Sequence, residues 1–205
     1  EWLDFYGTEV WGNVAGIYNE INNTYSLTNP TKPAALLEGN YEGYTGYPDE
    51  MSDAYAIRVQ VWHTFFAGGM GYGYGNNDNY KPLAGIGYLD SEGADSIQVF
   101  ANFMSRRQWW KMVPNQLIIS NPGSGTSRKV AVRSIDGDEC LVYYPLNEMA
   151  TINMSGVSTT NSVGANWLDP RNGHIQAAGT YLRTQQVPLQ PPTTWQDAVL
   201  ILAPV

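Results

Sequence analysis

Hydrophobic and polar residues follow two different periodicities along the chain, and the change falls near the middle. In the first half, short apolar runs are separated by stretches whose apolar residues recur every three or four positions, which is the pattern of strands alternating with helices. The clearest helix can be capped by Ser52 or Asp53. The stripe expected to face a core consists of Ala54, Ile57, Val61 and Phe65.

About three strand–helix units fill this half. We predict strands at Trp2–Tyr6 and Ala34–Leu37, a helix at Val14–Tyr25, a glycine- and tyrosine-rich strand near 71–75, and a last helix from about Ile97 to Trp110. Such alternation favours a parallel sheet. A closed barrel of eight units takes roughly 250 residues, and three parallel strands alone leave an unpaired edge and an uncovered face. The first half is therefore expected to be incomplete by itself.

After Pro114 the pattern changes to short β runs separated by turn residues. The predicted strands are Gln116–Ile119, Lys129–Ser134, Glu139–Tyr144, Ala150–Met154, Val163–Leu168 and Ala198–Leu202. Turn sequences such as Asp136-Gly137-Asp138 separate them at the spacing of an antiparallel β-sandwich. We therefore predict two domains, residues 1–115 of α/β type and residues 116–205 of all-β type.

Composition narrows the class of protein. The 19 acidic residues outnumber the 11 basic ones, and the net charge of -8 would repel a phosphate backbone, so nucleic-acid binding is not expected. Seven Trp and 14 Tyr accompany only 15% charged residues, a mix typical of extracellular carbohydrate-active proteins. This mix favours a secreted or extracellular location, with the periplasm as an alternative.

Cofactor and metal chemistry are not expected either. Cys140 is the single cysteine, which excludes an internal disulfide and thiolate metal clusters. His63 and His174 lack partners at ligand spacing, and the glycine-rich segment near Gly71 lacks the register of a phosphate loop. The longest apolar run, at 198–203, is far shorter than the roughly 20 residues of a membrane span.

Glu38 is the first candidate for chemistry. It closes the apolar run Pro33–Leu37 and is followed at once by Gly39-Asn40-Tyr41-Glu42-Gly43. A buried strand that stops at a carboxylate, with a second carboxylate and an aromatic residue just beyond, is how a barrel enzyme presents a catalytic acid to a sugar. The alternative is a surface glutamate that merely begins a loop.

Several segments also match a known family in order and spacing. They are Trp2-Leu3-Asp4-Phe5, Lys32-Pro33, Leu36-Leu37-Glu38-Gly39-Asn40-Tyr41-Glu42-Gly43, Phe65-Phe66-Ala67-Gly68-Gly69, Gly71-Tyr72-Gly73-Tyr74-Gly75 and Trp109-Trp110-Lys111-Met112-Val113-Pro114. This set resembles the later part of apiosidase-like glycoside hydrolases. The resemblance implies that residues 1–115 are about the last three β/α units of a (β/α)8 TIM barrel. The earlier strands are not in this chain: either a separate upstream chain completes the barrel, or these residues are all that is preserved of it.

The tail resembles the β-sandwich that follows the barrel in that family, a domain labelled "putative collagen-binding". The segments that carry this resemblance are Cys140-Leu141-Val142-Tyr143-Tyr144-Pro145 and Ala165-Asn166-Trp167-Leu168-Asp169-Pro170-Arg171-Asn172-Gly173. Together the two resemblances cover nearly the whole chain.

The resemblance assigns Glu38 the position of the nucleophile that ends the seventh strand, with an acid/base partner on an earlier strand absent from this chain. Departures from the family occur after three strands. Leu37-Glu38-Gly39 replaces Gly-Glu-Pro, Thr8-Glu9-Val10-Trp11 replaces a Gln-Ser-Gly-His type segment, and Asn76-Asn77 replaces histidines. These changes do not affect the fold that the resemblance implies, but they prevent the family's substrate from being assigned to this chain.

Eight further residues are expected to bind carbohydrate at the barrel mouth: Glu9, Trp11, Tyr41, Glu42, Tyr72, Tyr74, Asn76 and Asn77. Aromatic faces stack on sugar rings, and carboxylates, phenols and amides hydrogen-bond to sugar hydroxyls. The alternatives are structural: a solvated Glu9, tyrosines packed in the last strand, and asparagines that turn the chain. Glu42 could also be the active carboxylate or could orient Tyr41.

The sequence thus predicts part of a retaining, two-carboxylate glycoside hydrolase that acts on plant or microbial polysaccharides once the missing barrel strands are supplied. The alternative is a non-catalytic extracellular scaffold or carbohydrate-binding protein that retains the hydrolase fold. Adhesion to collagen through the sandwich is a third possibility. No cofactor is expected.

Overall fold

The computed structural model describes residues 3–77 and 87–205, with the backbone alone at 87 and 88. Trp2, which opens the first predicted strand, lies outside the described residues. The chain divides into two compact units, Glu1–Asn102 and Phe103–Val205. No helix in the described ranges is long and apolar enough to cross a membrane.

The first unit is built on a parallel three-stranded sheet in the order β1-β2-β3. Its strands are β1 (Tyr6–Glu9), β2 (Ala34–Glu38) and β3 (Gly69–Tyr72). Its helices are α1 (Ile17–Tyr25), α2 (Ala54–Phe66) and α3 (Glu92–Ser105), and 3-10 turns lie at Val14–Gly16 and Gly87–Asp90. The α3 helix continues across the division into the second unit. The prediction of a parallel sheet with intervening helices is confirmed for this unit.

Helices cover one face of this sheet. A Cβ at Gly69 would lie 2.8 Å from Thr64 of α2 and 3.3 Å from Ile21 of α1, so Gly69 faces the helices. Its partner across the ladder, Ala34, is fully buried on the same face. Because side chains alternate along a strand, Met70 points to the other face.

The opposite face carries exposed apolar side chains. Leu37 of β2 is 52% exposed and Met70 of β3 is 38% exposed. Parallel sheets are normally covered on both faces, so a half-covered parallel sheet is unusual. Within residues 3–77 and 87–205, β1 and β3 each pair with β2 alone, which leaves their outer edges without a described partner.

The α2 helix begins at Ala54 and ends at Phe66. Of the two predicted caps, Asp53 is the one used, because its side chain accepts from the Ala56 N–H at 2.8 Å. The prediction of a single buried stripe was wrong, because the helix is buried on nearly all sides. Tyr18 of α1 contacts His63, with ring centroids 6.2 Å apart, and Phe100 of α3 contacts Trp62 at 4.8 Å. The neighbouring helices therefore bury positions that a solvent-facing helix would expose.

Other boundaries in this unit also differ from prediction. The first strand is Tyr6–Glu9 rather than Trp2–Tyr6, because pairing with Ala34–Glu38 sets its register. This places Glu9 at the end of a strand instead of in a loop. The last strand begins at Gly69 and ends at Tyr72, and the last helix covers Glu92–Ser105 rather than reaching Trp110.

The second unit is antiparallel. Its strands are β4 (Met112–Pro114), β5 (Val130–Ser134), β6 (Cys140–Tyr144), β7 (Ala150–Asn153), β8 (Ser162–Leu168), β9 (Ile175–Leu182), β10 (Gln186–Leu189) and β11 (Ala198–Pro204). Six strands form one sheet in the order β4-β5-β6-β11-β8-β9, and β7 pairs with β10 in a second. Residues of both sheets share one core, in which Leu200 of β11 and Trp167 of β8 meet Ile152 of β7.

The strand predicted at Gln116–Ile119 was wrong, since Gln116–Ile118 is a 3-10 turn. The β9 and β10 strands were not predicted. Most β9 side chains are exposed, so the strand lacks the apolar alternation that marks a half-buried strand. The β10 strand contains Pro188. Proline argues against a strand when only the sequence is read, because it lacks the N–H that a central strand donates, although a sheet edge tolerates it.

Replacement of Leu200 by alanine tests the position of this core. Leu200 is fully buried on the central strand β11, so Leu200→Ala should lower the free energy of unfolding by about 2–5 kcal/mol. The matched control is Leu117→Ala, because Leu117 is 90% exposed and its truncation should change stability by less than about 0.5 kcal/mol. Guanidinium titration followed by circular dichroism measures both. Equal losses in the two variants would contradict this core.

Candidate active site

Two carboxylates end neighbouring strands at one edge of the parallel sheet. Glu9 is the last residue of β1 and Glu38 the last residue of β2, and the two are paired across the ladder. A shift of register between Thr8 and Glu9 brings them level. Glu9 is exposed and Glu38 is half-buried. The carboxyl ends of parallel strands are where α/β folds place their ligands, so this edge is the candidate site.

Tyr41 orients the Glu38 carboxylate. Its hydroxyl donates to Glu38 Oε1 at 2.6 Å, a short contact typical of an O–H donor on a carboxylate. Its backbone N–H donates to the Tyr47 hydroxyl at 2.7 Å. The ring lies so close to Gly75 that a Cβ there would collide with it. Tyr41 is therefore held at its backbone, its ring and its hydroxyl.

The buried Asn40 joins the surrounding loops. Its Oδ1 accepts from the Gly12 N–H at 2.7 Å, and its Nδ2 donates to Asp49 Oδ1 at 2.9 Å and to the Met51 carbonyl at 2.8 Å. Its backbone exchanges two hydrogen bonds with the Gln60 side chain of α2, at 2.7 and 3.1 Å. One amide therefore fixes the loop after β1 to the loop after β2, and both to the helix behind them.

Four aromatic rings line a cavity of about 330 Å³ in these loops. They are Trp11, Tyr41, Tyr44 and Tyr47. The Trp11 and Tyr47 centroids are 5.1 Å apart, and those of Tyr44 and Tyr47 are 4.8 Å apart, both edge to face. Trp11 is 55% exposed, whereas Tyr47 is buried. Burial raises the pKa of the Tyr47 hydroxyl above its usual value, so this hydroxyl stays protonated at neutral pH.

Glu42 is engaged by the protein through both of its carboxylate oxygens. Oε2 accepts from the Tyr74 hydroxyl at 2.6 Å and from Ser91 Oγ at 2.8 Å, and Oε1 accepts from the Gly93 N–H at 2.9 Å. Gly93 lies in the first turn of α3, where the helix dipole stabilises negative charge. This geometry favours a structural role that the sequence did not suggest, in which the Glu42 carboxylate anchors the loop after β2 to the start of α3.

The other predicted residues of the glycine- and tyrosine-rich segment gather around Glu42. Asn76 Nδ2 donates to the Tyr74 hydroxyl at 3.2 Å, and the Asn77 N–H donates to the Glu42 carbonyl at 2.8 Å. The pKa of Tyr74 is raised by its burial and by its hydrogen bond to the Glu42 carboxylate. These side chains form a polar cluster that supports the site from the loop after β3.

Tyr72 differs from its neighbours because its hydroxyl is buried and has no hydrogen-bond partner among the described residues. Burial, together with the nearby Tyr74 and Glu42, raises its pKa far above the usual value. A buried hydroxyl without a partner costs free energy, so the Tyr72 hydroxyl is not a stabilising contact in this arrangement.

The structure thus sorts the predicted residues into two groups and leaves Tyr72 outside both. Glu38, Tyr41 and Trp11 lie along one connected set of contacts that ends at the aromatic cavity, with Glu9 beside Glu38. Glu42, Tyr74, Asn76 and Asn77 form the polar cluster. Sequence reasoning missed Asn40, Tyr44, Tyr47 and Asp49, since loop residues carry no periodicity; the aromatic spacing of Tyr41, Tyr44 and Tyr47 was the available signal. No cluster of metal-ligating residues was found in the described ranges.

Two family models match the chain. The first, "Apiosidase-like, catalytic domain", matches residues 1–111. The second, "Putative collagen-binding domain of a collagenase", matches residues 113–203. No curated protein matches.

Solved structures share the fold. A glycoside hydrolase family 5 protein from Bacteroides vulgatus is 22% identical, with a TM-score of 0.85 over 100% of this chain and 51% of its own. A second glycoside hydrolase is 21% identical, with a TM-score of 0.83 over 99% of this chain and 53% of its own. A glucosidase from Croceicoccus marinus is 11% identical, with a TM-score of 0.53 over 99% and 54%. The chain spans about half the length of these proteins.

Asn40→Asp tests the amide that joins the loops. A carboxylate at this position cannot donate to Asp49 or to the Met51 carbonyl, and it adds a second negative charge beside Asp49. We expect the free energy of unfolding to fall by about 3 kcal/mol, measured by guanidinium denaturation. The matched control, Asn161→Asp, changes an exposed asparagine and should leave stability within about 0.5 kcal/mol. The same small effect at both positions would remove Asn40 from its assigned role.

Proposed function

The chain belongs to the apiosidase-like family, and from that membership we propose that it forms part of a glycoside hydrolase acting on glycosidic bonds of plant or microbial polysaccharides. The observation that carries this proposal is Glu38, a carboxylate at the end of a parallel strand that is held in place by the Tyr41 hydroxyl. Composition supports a secreted or periplasmic location.

The first unit is proposed to be the last three β/α units of a (β/α)8 TIM barrel, followed by a β-sandwich domain from about residue 116. Three observations support this. The sheet is parallel with helices on one face, its other face exposes Leu37 and Met70, and its outer strands lack described partners. The barrel interior would occupy the exposed face. The chain also covers about half of the similar hydrolases, which leaves room for the remaining strands in an upstream segment or another chain.

In the proposed mechanism Glu38 is the nucleophile of a retaining reaction. Its free oxygen attacks the anomeric carbon, the bond to the leaving oxygen breaks, and a second carboxylic acid protonates that oxygen. Water then attacks the glycosyl-enzyme ester, gives a proton to the second group and releases Glu38. The second group must lie about 5–5.5 Å away on a strand outside this chain. Glu9, paired with Glu38, is proposed to bind a sugar hydroxyl.

Tyr41 makes the two oxygens of Glu38 unequal. Its hydroxyl donates to Oε1, so Oε2 is the oxygen left for attack. A donor fixed by its backbone and ring holds the carboxylate in one rotamer and limits the reorientation needed to reach the transition state. Tyr41 is thus a positioning residue. Trp11 and Tyr41 are proposed to line the adjoining sugar subsite, while the polar cluster around Glu42 supports the loop after β2 from outside that subsite.

The second candidate function is a non-catalytic carbohydrate-binding scaffold. It is favoured by the departures around the strand ends, above all Leu37-Glu38-Gly39, and by the internal hydrogen bonds that occupy Glu42 and Asn76. A collagen-adhesion role for the second unit rests on the family model alone. Failure of the complete protein to bind immobilised collagen would remove that role.

Glu38→Gln in the complete protein tests the nucleophile. The amide keeps the size of the side chain but cannot attack, so release of reducing sugar from pectin-type oligosaccharides should fall about 10⁴-fold or more. The control Glu20→Gln alters an exposed glutamate of α1 and should retain full activity. Undiminished activity in Glu38→Gln would overturn its assignment. Sugar binding without turnover in the unmodified protein would establish the scaffold.

Tyr41→Phe tests positioning separately. The ring remains against Gly75 but the hydrogen bond to Glu38 is lost, so kcat should fall about 10- to 100-fold while KM stays within about twofold. Steady-state kinetics of the complete protein measure both constants. Tyr25→Phe, which removes a partly exposed hydroxyl on α1, is the control and should behave as the unmodified protein. A rise in KM with unchanged kcat would show that Tyr41 binds substrate rather than positions Glu38.

A further inference from the structure

A second cavity lies in the second unit, and charged and polar side chains form most of its lining. Its volume is about 500 Å³, within the range of about 300–1,000 Å³ for small-molecule pockets. The lining residues come from the segment after α3, the hairpin between β5 and β6, and the end of β11, all of them within Phe103–Val205. None of them belongs to the candidate active site.

Two ion pairs and a backbone bond join the segment after α3 to the hairpin. Arg107 Nε donates to Glu139 Oε1 at 3.0 Å, and Lys111 Nζ donates to Asp136 Oδ2 at 2.6 Å. The Lys111 carbonyl accepts from the Ile135 N–H at 3.0 Å. Because these contacts form within the protein itself, the pocket is preformed and can bind a ligand with little loss of conformational entropy.

The Arg107 guanidinium is held on one side and open on the other. Its Nη1 donates to the Phe103 carbonyl at 2.8 Å, and its central carbon lies 3.6 Å from the centre of the Phe103 ring. Its Nη2 has no acceptor in the part of the chain that the structure describes. Since the side chain is only 19% exposed, a ligand that accepts from Nη2 would satisfy a partly desolvated donor.

Other polar groups of the lining also lack partners. Within the described residues, the side chains of Arg106, Gln108 and Asp138 make no hydrogen bond or ion pair. Ser134 is buried, and its hydroxyl accepts from the Asp136 N–H at 3.2 Å but donates to no acceptor in the described ranges. The pocket therefore offers both donors and acceptors that internal contacts do not use.

The formal charges of the lining cancel. Its cations are Arg106, Arg107 and Lys111, and its anions are Asp136, Asp138 and Glu139. An anionic ligand would be repelled by the carboxylates and a cationic ligand by the guanidinium and ammonium groups, so neither sign of charge is favoured. A hydroxyl group both donates and accepts, so a hydroxyl-rich ligand can pair with both sets of groups.

A zwitterion such as a free amino acid is the other ligand without net charge. Its single carboxylate and single ammonium group would pair with Arg106 and Asp138 but would leave Gln108 and Ser134 without partners. A sugar carries several hydroxyls around one ring, and its C–H groups can lie against Met112 and the other apolar members of the lining. The lining therefore favours a neutral sugar over a zwitterion.

We propose that this pocket of the second unit is a binding site for a neutral carbohydrate, in which Arg106 and Arg107 donate to sugar hydroxyls and Asp138 accepts from them. The proposal goes beyond the proposed function, because it concerns binding rather than cleavage and lies in a unit that holds no residue of the candidate active site. Such a site would hold the protein on a polysaccharide independently of Glu38.

Arg106→Ala and Asp138→Ala test this site without breaking an internal contact. Because neither side chain has a partner among the described residues, both variants should keep the stability of the unmodified protein in guanidinium denaturation. Binding is measured by isothermal calorimetry in the complete protein carrying Glu38→Gln, so that no probe is cleaved. The probes are neutral oligosaccharides from arabinan, galactan and xyloglucan, with tetragalacturonate and free glycine titrated in parallel.

Each of the two variants should weaken the binding of a neutral oligosaccharide about tenfold, since each removes a hydrogen bond to a charged group. The matched control is Arg183→Ala, which removes an arginine of the same unit that does not line the pocket and should leave the Kd unchanged.

The outcomes separate this proposal from the proposed function. Weaker binding in Arg106→Ala and Asp138→Ala but not in Arg183→Ala supports the site even if the unmodified protein hydrolyses nothing, a result that would sink only the hydrolase assignment. An unchanged Kd for every neutral oligosaccharide in both variants overturns the site even if Glu38→Gln abolishes hydrolysis. Binding of tetragalacturonate or glycine without any neutral oligosaccharide, or binding of no probe, also overturns it.

Discussion

The candidate site depends on the hydrogen bonds of one buried amide. Asn40 can donate two hydrogen bonds and accept others through a side chain of only two carbon atoms beyond the backbone, and it uses these to join Gly12, Asp49 and Met51. Each bond is worth only about 1 kcal/mol net, but an unmade one leaves a buried polar group that costs more. Loss of this amide is therefore expected to loosen the loops that carry Trp11, Tyr41 and Tyr47.

Two glutamates four residues apart show how environment sets role. The Glu42 carboxylate accepts three hydrogen bonds, one of them from a backbone N–H at the start of α3. These bonds engage both of its oxygens and anchor the loop. Glu38 meets the Tyr41 hydroxyl at one oxygen and lies half-buried at a strand end. The same side chain thus serves as an anchor at one position and as a candidate nucleophile at the other, and the polar cluster around Glu42 ties the loop that follows Glu38 to the start of α3.

The sequence predicted regular elements far better than the loops that form the site. The limits of α2 followed from its cap and spacing, whereas its burial on all sides depends on neighbouring helices that no local pattern reveals. Glu38, Trp11 and Tyr41 could be proposed from the sequence because each stands at a strand end or just beyond. Asn40, Tyr44 and Tyr47 were missed because their roles arise from contacts between loops 28 or more residues apart, or from ring packing that leaves no period. The exposed strand β9 was missed for the same lack of pattern.

The exposed face of the parallel sheet makes association of the polypeptide with other chains more favourable. Leu37 and Met70 expose apolar surface on this face. In the described part of the chain, the outer strands β1 and β3 on either side of it pair only with β2. Surfaces of this kind recruit any available strand, including that of a second copy. An exposed apolar face between two such edges is therefore a site at which copies of this polypeptide are expected to associate at high concentration.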